Sequence, residues 1–180
     1  KPYAEVITDK AKTQDGLFKV HRVDDKIYWE IPEKMFGRDL LWQTEVAQFP
    51  QNTGYPGQSL GYKIVQFSRH EKKVYMRAPG YEMRAINSKA LEAGVEASSV
   101  APIIQSFNIE AEGKDKSVVI DVTPVFAMDQ TELAVGPRVG AAGVDPSRSY
   151  IERVTAFPTN IETRAYLTLG VMGSGGQRGQ

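Results

Sequence analysis

Apolar and polar residues alternate with a period of two along most of this chain, the spacing of strands that cover one face. In GLFKVHRV (16–23), Phe18 and Val20 share one face, while Leu17, Lys19, His21 and Val23 share the other. Asp24-Asp25 follows as a polar turn, and KIYWEI (26–31) places Ile27, Trp29 and Ile31 on one side. The spacing therefore predicts a hairpin, ended by Pro32. PEKMFGRD (32–39) reads as a single helical turn with Gly37 near its end. LLWQTEVAQF (40–49), YKIVQFS (62–68) and KVYMRA (73–78) read as further strands. The glycine- and proline-rich stretch QNTGYPGQSLG (51–61) reads as a loop.

The second half repeats the pattern. IIQSFNIEAE (103–112) and SVVIDVTPVF (117–126) predict a hairpin around Gly113-Lys114-Asp115-Lys116. GPRVGAAGVDPSR (136–148) reads as a loop, and SYIERVTAF (149–157) and IETRAYLTLG (161–170) flank Pro158-Thr159-Asn160. One segment, NSKALEAGVEASS (87–99), has a helical spacing: Leu91 and Val95 fall at i, i+4, and Asn87 or Ser88 can cap its start. Gly94 weakens that helix by about 1 kcal/mol. These elements predict a mainly β (or α+β) domain, sandwich-like or barrel-like and antiparallel, with about eight or nine strands and one short helix. Residues 1–12 read as a lead-in, 13–170 as a single β-rich domain, and 171–180, ending in GSGGQRGQ, as a flexible linker tail. A start at Lys1, without a methionine or a signal peptide, predicts a fragment or a processed product.

Composition narrows the chemistry. Twenty-two basic and 22 acidic residues cancel. That balance removes the electrostatic case for nucleic acid as a partner. No apolar run approaches the ~18 residues of a membrane helix, so no membrane span is expected. The chain has no cysteine, which excludes disulfides, thiolate zinc sites and cysteine nucleophiles. His70-Glu71 is half of the zinc-protease signature H-E-x-x-H, but the position of the second imidazole is Val74. The local period is two, so these residues are expected at a solvated hairpin tip. His21, mid-strand beside Leu17 and Val23, is expected as a packed or edge histidine rather than a ligand. A serine nucleophile would need one of these two imidazoles as its base. Paired acids such as Asp24-Asp25 and Glu110/Glu112 read as solvated turns and edges. No phosphate-binding loop occurs. Tyr55, Tyr62, Tyr75 and Tyr81 are candidates for a sugar- or peptide-binding face, against the plainer reading of packing at sheet edges. No residue is assigned as catalytic, cofactor-binding or metal-binding.

Five phrases together resemble a known family: GLFKVHRVDDKIYWEIP (16–32), GRDLLW (37–42), LGYKIVQFSRHEKKVYMRA (60–78), IIQSFNIEAE with VVIDVTPVF (103–126), and RSYIERVTAFPTNIETRAYLTL (148–169). They look like the N-terminal domain of unknown function that precedes the catalytic domain in large secreted bacterial zinc-dependent metalloproteases. The resemblance implies a longer parent chain, extracellular or periplasmic, with a metzincin-like zinc site downstream of residue 180. It implies no cofactor in this chain, and carries no zinc ligand or catalytic glutamate onto it. The expected partners are the downstream metallopeptidase domain and a peptide or protein substrate. The expected function is a non-catalytic module that supports the catalytic domain or positions substrate. A free-standing carbohydrate- or protein-binding β module is the alternative, and a β-barrel-type enzyme using Asp, Glu and Tyr is a third.

Overall fold

The computed structural model describes residues 1–49, 55–80, 100–127, 136 and 141–171. In chain order its elements are α1 (Tyr3–Val6), β1 (Lys12–Gln14), β2 (Lys19–Val23), β3 (Lys26–Ile31), β4 (Leu40–Val46), β5 (Gln58–His70), β6 (Lys73–Arg77), β7 (Ile103–Glu112), β8 (Val118–Asp121), α2 (Thr123–Ala127), β9 (Ala141–Val144), β10 (Tyr150–Ala156), β11 (Ile161–Tyr166) and β12 (Leu169–Val171). The protein is mainly β, and every strand pair among the described residues is antiparallel. The residues group into two compact units, one of 1–33 with 109–180 and one of 34–108.

In the first unit the strand order is β1-β2-β3-β8-β7, with β10 and β11 as a separate hairpin and β9 paired with β12. The hairpin β2–β3 forms as its sequence pattern predicts, with Val23 opposite Lys26 and Asp24 at a φ of 52° in the turn. Alternation captured only half of β3, however. Ile27, Trp29 and Ile31 are buried on one face, and Tyr28 and Glu30 are buried on the other. On the Tyr28 face, Val6 of α1 packs with Tyr28, Ala111 and Val119, and Tyr3, Ile7 and Val23 complete the cluster. On the Trp29 face, the Trp29 ring lies 5.5 Å from Phe18 and 5.8 Å from Phe126 of α2. The lead-in thus includes a helical turn that supplies a core residue.

The edge strand β1 is clamped by its own side chain. Gln14 Nε2 donates to the Val154 carbonyl at 3.0 Å, and the Ala156 N–H donates to Gln14 Oε1 at 3.0 Å. The side-chain amide thereby stands in for one rung of a ladder. Next to it the Leu17 N–H reaches the Phe157 carbonyl at 2.8 Å. A Cβ on Gly16 would lie 2.7 Å from that carbonyl, so only glycine permits the approach.

In the second unit the order is β7-β6-β5-β4. Val65 and Phe67 of β5, Val74 and Met76 of β6, and Phe107 of β7 are buried. Phe67 faces Met76 in register, and Val74 faces Phe107. Residues 33–35 make the expected helical turn, and Gly37 follows it at a φ of 73°.

Three expectations need correcting. Residues 58–61 belong to β5 rather than to the 51–61 loop, because Gly61, at a φ of 107°, accommodates a bulge opposite Thr44 and Glu45. The strand expected over 117–126 stops at Asp121. Asp121 Oδ1 accepts the Thr123 N–H at 3.0 Å, and Pro124 then sits at the start of α2, a position its missing N–H suits. Within 136–148, residues 141–144 form β9 against β12. The helix expected over 87–99 and the tail 173–180 lie outside the described residues.

Candidate functional site

His21 and Glu30 occupy one face of the β2–β3 hairpin. Lys19 is opposite Glu30 and Tyr28 opposite His21, so the imidazole and the carboxylate are diagonal neighbours. His21 Nε2 lies 3.0 Å from Glu30 Oε2, and Thr13 Oγ1 of β1 lies 2.8 Å from His21 Nδ1. The Tyr3 hydroxyl of α1 donates to Glu30 Oε2 at 2.7 Å. The Ser117 hydroxyl, just before β8, donates to Glu30 Oε1 at 2.6 Å. His21 is 1% exposed and Glu30 5%. The turn that delivers Ser117 is closed by the Gly113 N–H on the Ser117 carbonyl at 2.9 Å. A Cβ on Gly113 would overlap both Glu30 Oε1 and Ser117 Oγ, so the cluster requires glycine there.

The electrostatics follow from burial and from the donors. Burial lowers the His21 pKa from 6.5, more than the hydrogen bond and charge of Glu30 raise it. The neutral imidazole then donates its Nε2–H to Glu30 and accepts the Thr13 hydroxyl at Nδ1. Burial also opposes ionisation of Glu30. The Ser117, Tyr3 and His21 donors outweigh it and hold the carboxyl below 4.5. Burial first, and then the hydrogen bond to and charge of Glu30, push the Tyr3 hydroxyl up to about 12.

Thr13–His21–Glu30 has the order hydroxyl, imidazole, carboxylate, which is also the order of an acyl-transfer triad. Its chemistry differs. A catalytic imidazole needs a substrate beside it and a pKa near the working pH. Here the imidazole is sealed, both of its nitrogens are engaged, and its basicity is lowered. The arrangement ties β1, β2, β3, α1 and the 113–117 turn together. With both nitrogens engaged, His21 offers no lone pair to a metal.

The other residues singled out by sequence lie elsewhere. His70 pairs with Lys73 across the β5–β6 turn and is exposed, with Glu71 in the turn at a φ of 50°. His21 belongs to the first unit and His70 to the second. Among the described residues no three of His, Cys, Asp and Glu are grouped to hold a metal ion. GQSLG (57–61), not among the residues singled out above, also carries the G-x-S-x-G spacing of a nucleophile elbow, which needs a strand-to-helix turn. Ser59 instead lies inside β5, exposed, opposite Glu45, and its Oγ accepts the Gly61 N–H at 3.2 Å. Tyr55 and Tyr62 are exposed and Tyr75 is half-buried, while Tyr81 lies outside the described residues.

A different tyrosine pair comes together on the hairpin β10–β11. Tyr150 stands opposite Tyr166, with ring centroids 5.5 Å apart and planes 11° from parallel. The register from Ala156↔Ile161 would have put Tyr150 opposite Leu167. A bulge between Ile151 and Arg153 shifts it by one residue. Arg22 of β2 holds that bulge, donating to the Ile151 carbonyl at 3.0 Å and the Glu152 carbonyl at 3.2 Å. Sequence reasoning found both strands but not the shift, because a bulge has no signature in the alternation itself.

Comparison with known families gives two matches. The model of a domain of unknown function, DUF5117, matches residues 57–180, and that of a second domain of unknown function, DUF5118, matches residues 1–49. No curated protein and no solved structure matches the chain.

Proposed function

This chain belongs to the DUF5117 family of domains of unknown function, and we propose that it is a non-catalytic module of a secreted zinc metallopeptidase. In this reading the parent is bacterial and works outside the cytoplasm, its zinc is held by a catalytic domain beyond residue 180, and this module braces that domain or positions its peptide substrate. The observation that carries the reading is the closed state of the His21–Glu30 pair. His21 Nε2 and Glu30 Oε2 engage each other, Thr13, Tyr3 and Ser117 engage the remaining polar atoms, and the pair is shut off from solvent. A group built this way supports a scaffold, not a reaction. The five phrases that resemble the protease-associated domain supply the parent.

The test has two parts. The isolated chain is assayed for bound zinc and for peptidase activity, with neither expected. Stoichiometric, chelator-removable zinc together with proteolysis would overturn the non-catalytic role. The reading frame that encodes these residues is then examined for H-E-x-x-H beyond Gln180, and its absence would remove the metallopeptidase parent.

A further inference from the structure

We propose that the outward face of the β10–β11 hairpin binds a neutral carbohydrate, with Tyr150 and Tyr166 as its stacking surface and Glu152 and Arg164 as hydroxyl partners. Tyr150 is 55% exposed and Tyr166 61%, although both belong to regular strands whose opposite face is buried through Ile151 and Val154. The rings stack with centroids 5.5 Å apart and planes 11° from parallel, and more than half of each residue's surface is open to solvent.

The rest of the face selects the partner. Beside the rings, Arg164 Nε meets Glu152 Oε2 at 3.0 Å, and Arg153 and Glu162 are exposed nearby on the same hairpin. Two guanidinium groups and two carboxylates balance, so the face has no net attraction for nucleic acid or another polyanion. A pyranose ring presents C–H groups to a π face and hydroxyls to planar carboxylate and guanidinium groups, which matches what this face offers.

The face is also fixed in advance. Arg22 grips the bulge carbonyls, and Gln14 clamps Val154 and Ala156, so the hairpin is held before any ligand arrives. Pre-ordering of this kind removes a cost of binding. The proposal is independent of the metallopeptidase reading, since it concerns the isolated chain.

The test is native electrophoresis of the full chain through gels containing barley β-glucan, galactomannan or xyloglucan, with alginate as an anionic control. Retardation is expected in at least one neutral gel. Tyr166→Ala should weaken that binding at least about fivefold, Arg22→Gln should weaken it without touching the ligand, and Tyr62→Ala, at a 77% exposed tyrosine of the other unit, should leave it unchanged. Circular dichroism checks that each variant is folded, and Tyr150→Ser takes the place of Tyr166→Ala if the latter unfolds. No retardation in any neutral gel, retardation by alginate alone, or equal retardation of the tyrosine variants would each overturn the proposal.

Discussion

Cutting the chain between the two family matches should abolish the fold of both pieces, and mixing them should restore it. The family boundary falls between residues 49 and 57, yet the hydrogen bonding crosses it repeatedly. β3, from the first match, pairs with β8 from the second, Tyr28 opposite Asp121 through Ile31 opposite Val118. β4 likewise pairs with β5. A polypeptide of residues 57–180 alone would lack Phe18, Val20, Ile27, Tyr28, Trp29 and Ile31, all buried. At about 1.5–3 kcal/mol per buried side chain, six such residues amount to about 9–18 kcal/mol as an upper bound. That equals or exceeds the roughly 5–15 kcal/mol of net stability usual for a domain. The assay is direct, because both tryptophans, Trp29 and Trp42, lie in residues 1–49. The 1–49 piece alone should emit as a solvated tryptophan peptide. Adding 57–180 should shift the emission to the blue as Trp29 packs against Phe126. A cooperative urea transition for 57–180 alone, near the midpoint of the full chain, would refute the reasoning, as would tryptophan emission that ignores the added partner.

Other outcomes follow from the buried cluster. Glu30→Ala leaves the Tyr3 hydroxyl and the His21 Nε2–H without their acceptor, while the Ser117 hydroxyl keeps the Lys114 carbonyl at 2.8 Å; a loss of about 3–5 kcal/mol is expected from urea unfolding, and a loss under 1 kcal/mol would contradict the satisfied-network account. The folded-state pKa values of His21 and Glu30 both lie below their ordinary values of 6.5 and 4.5. The unfolded chain therefore binds more protons in acid, so stability should hold above pH 6.5, fall as pH drops below that value, and fall again below 4.5, with the second step absent in Glu30→Gln. Tyr3, pushed up to about 12 from 10.0, acts in the opposite sense and should lower stability as pH rises from 10 towards 12, which Tyr3→Phe would remove. Gly113→Ala should destabilise by about 1–3 kcal/mol through overpacking against Glu30 and Ser117, measured as a lower urea midpoint with unchanged slope.

The sequence made some of this legible and hid the rest for identifiable reasons. Hairpin β2–β3 could be read because its alternation and its Asp24-Asp25 turn agree. Its register alone already places His21 diagonal to Glu30, a contact that counting back from the turn would have found. The other partners of Glu30 were out of reach. Tyr3 and Ser117 are 27 and 87 residues away in sequence, and only the packing of α1 and the 113–117 turn delivers them. Gly61 hid the start of β5, since a glycine that serves a bulge looks the same as a glycine in a loop. In the same way, Thr123-Pro124 ended β8 earlier than the apolar run suggested.

The position of the polar cluster explains why it is polar. Tyr3, Thr13, His21 and Glu30 come from the part that matches one family, and Gly113 and Ser117 from the part that matches the other. An apolar contact at this point would tolerate a one-residue slip of β8 along β3, because Val118, Val119 and Ile120 are nearly interchangeable in shape and chemistry. A carboxylate with three directed donors does not tolerate it: a slip would carry Ser117 away from Glu30 Oε1 and leave a buried charge short of a donor. Burying Glu30 therefore contributes less to net stability than an apolar pair would, and more to fixing which register the two segments adopt.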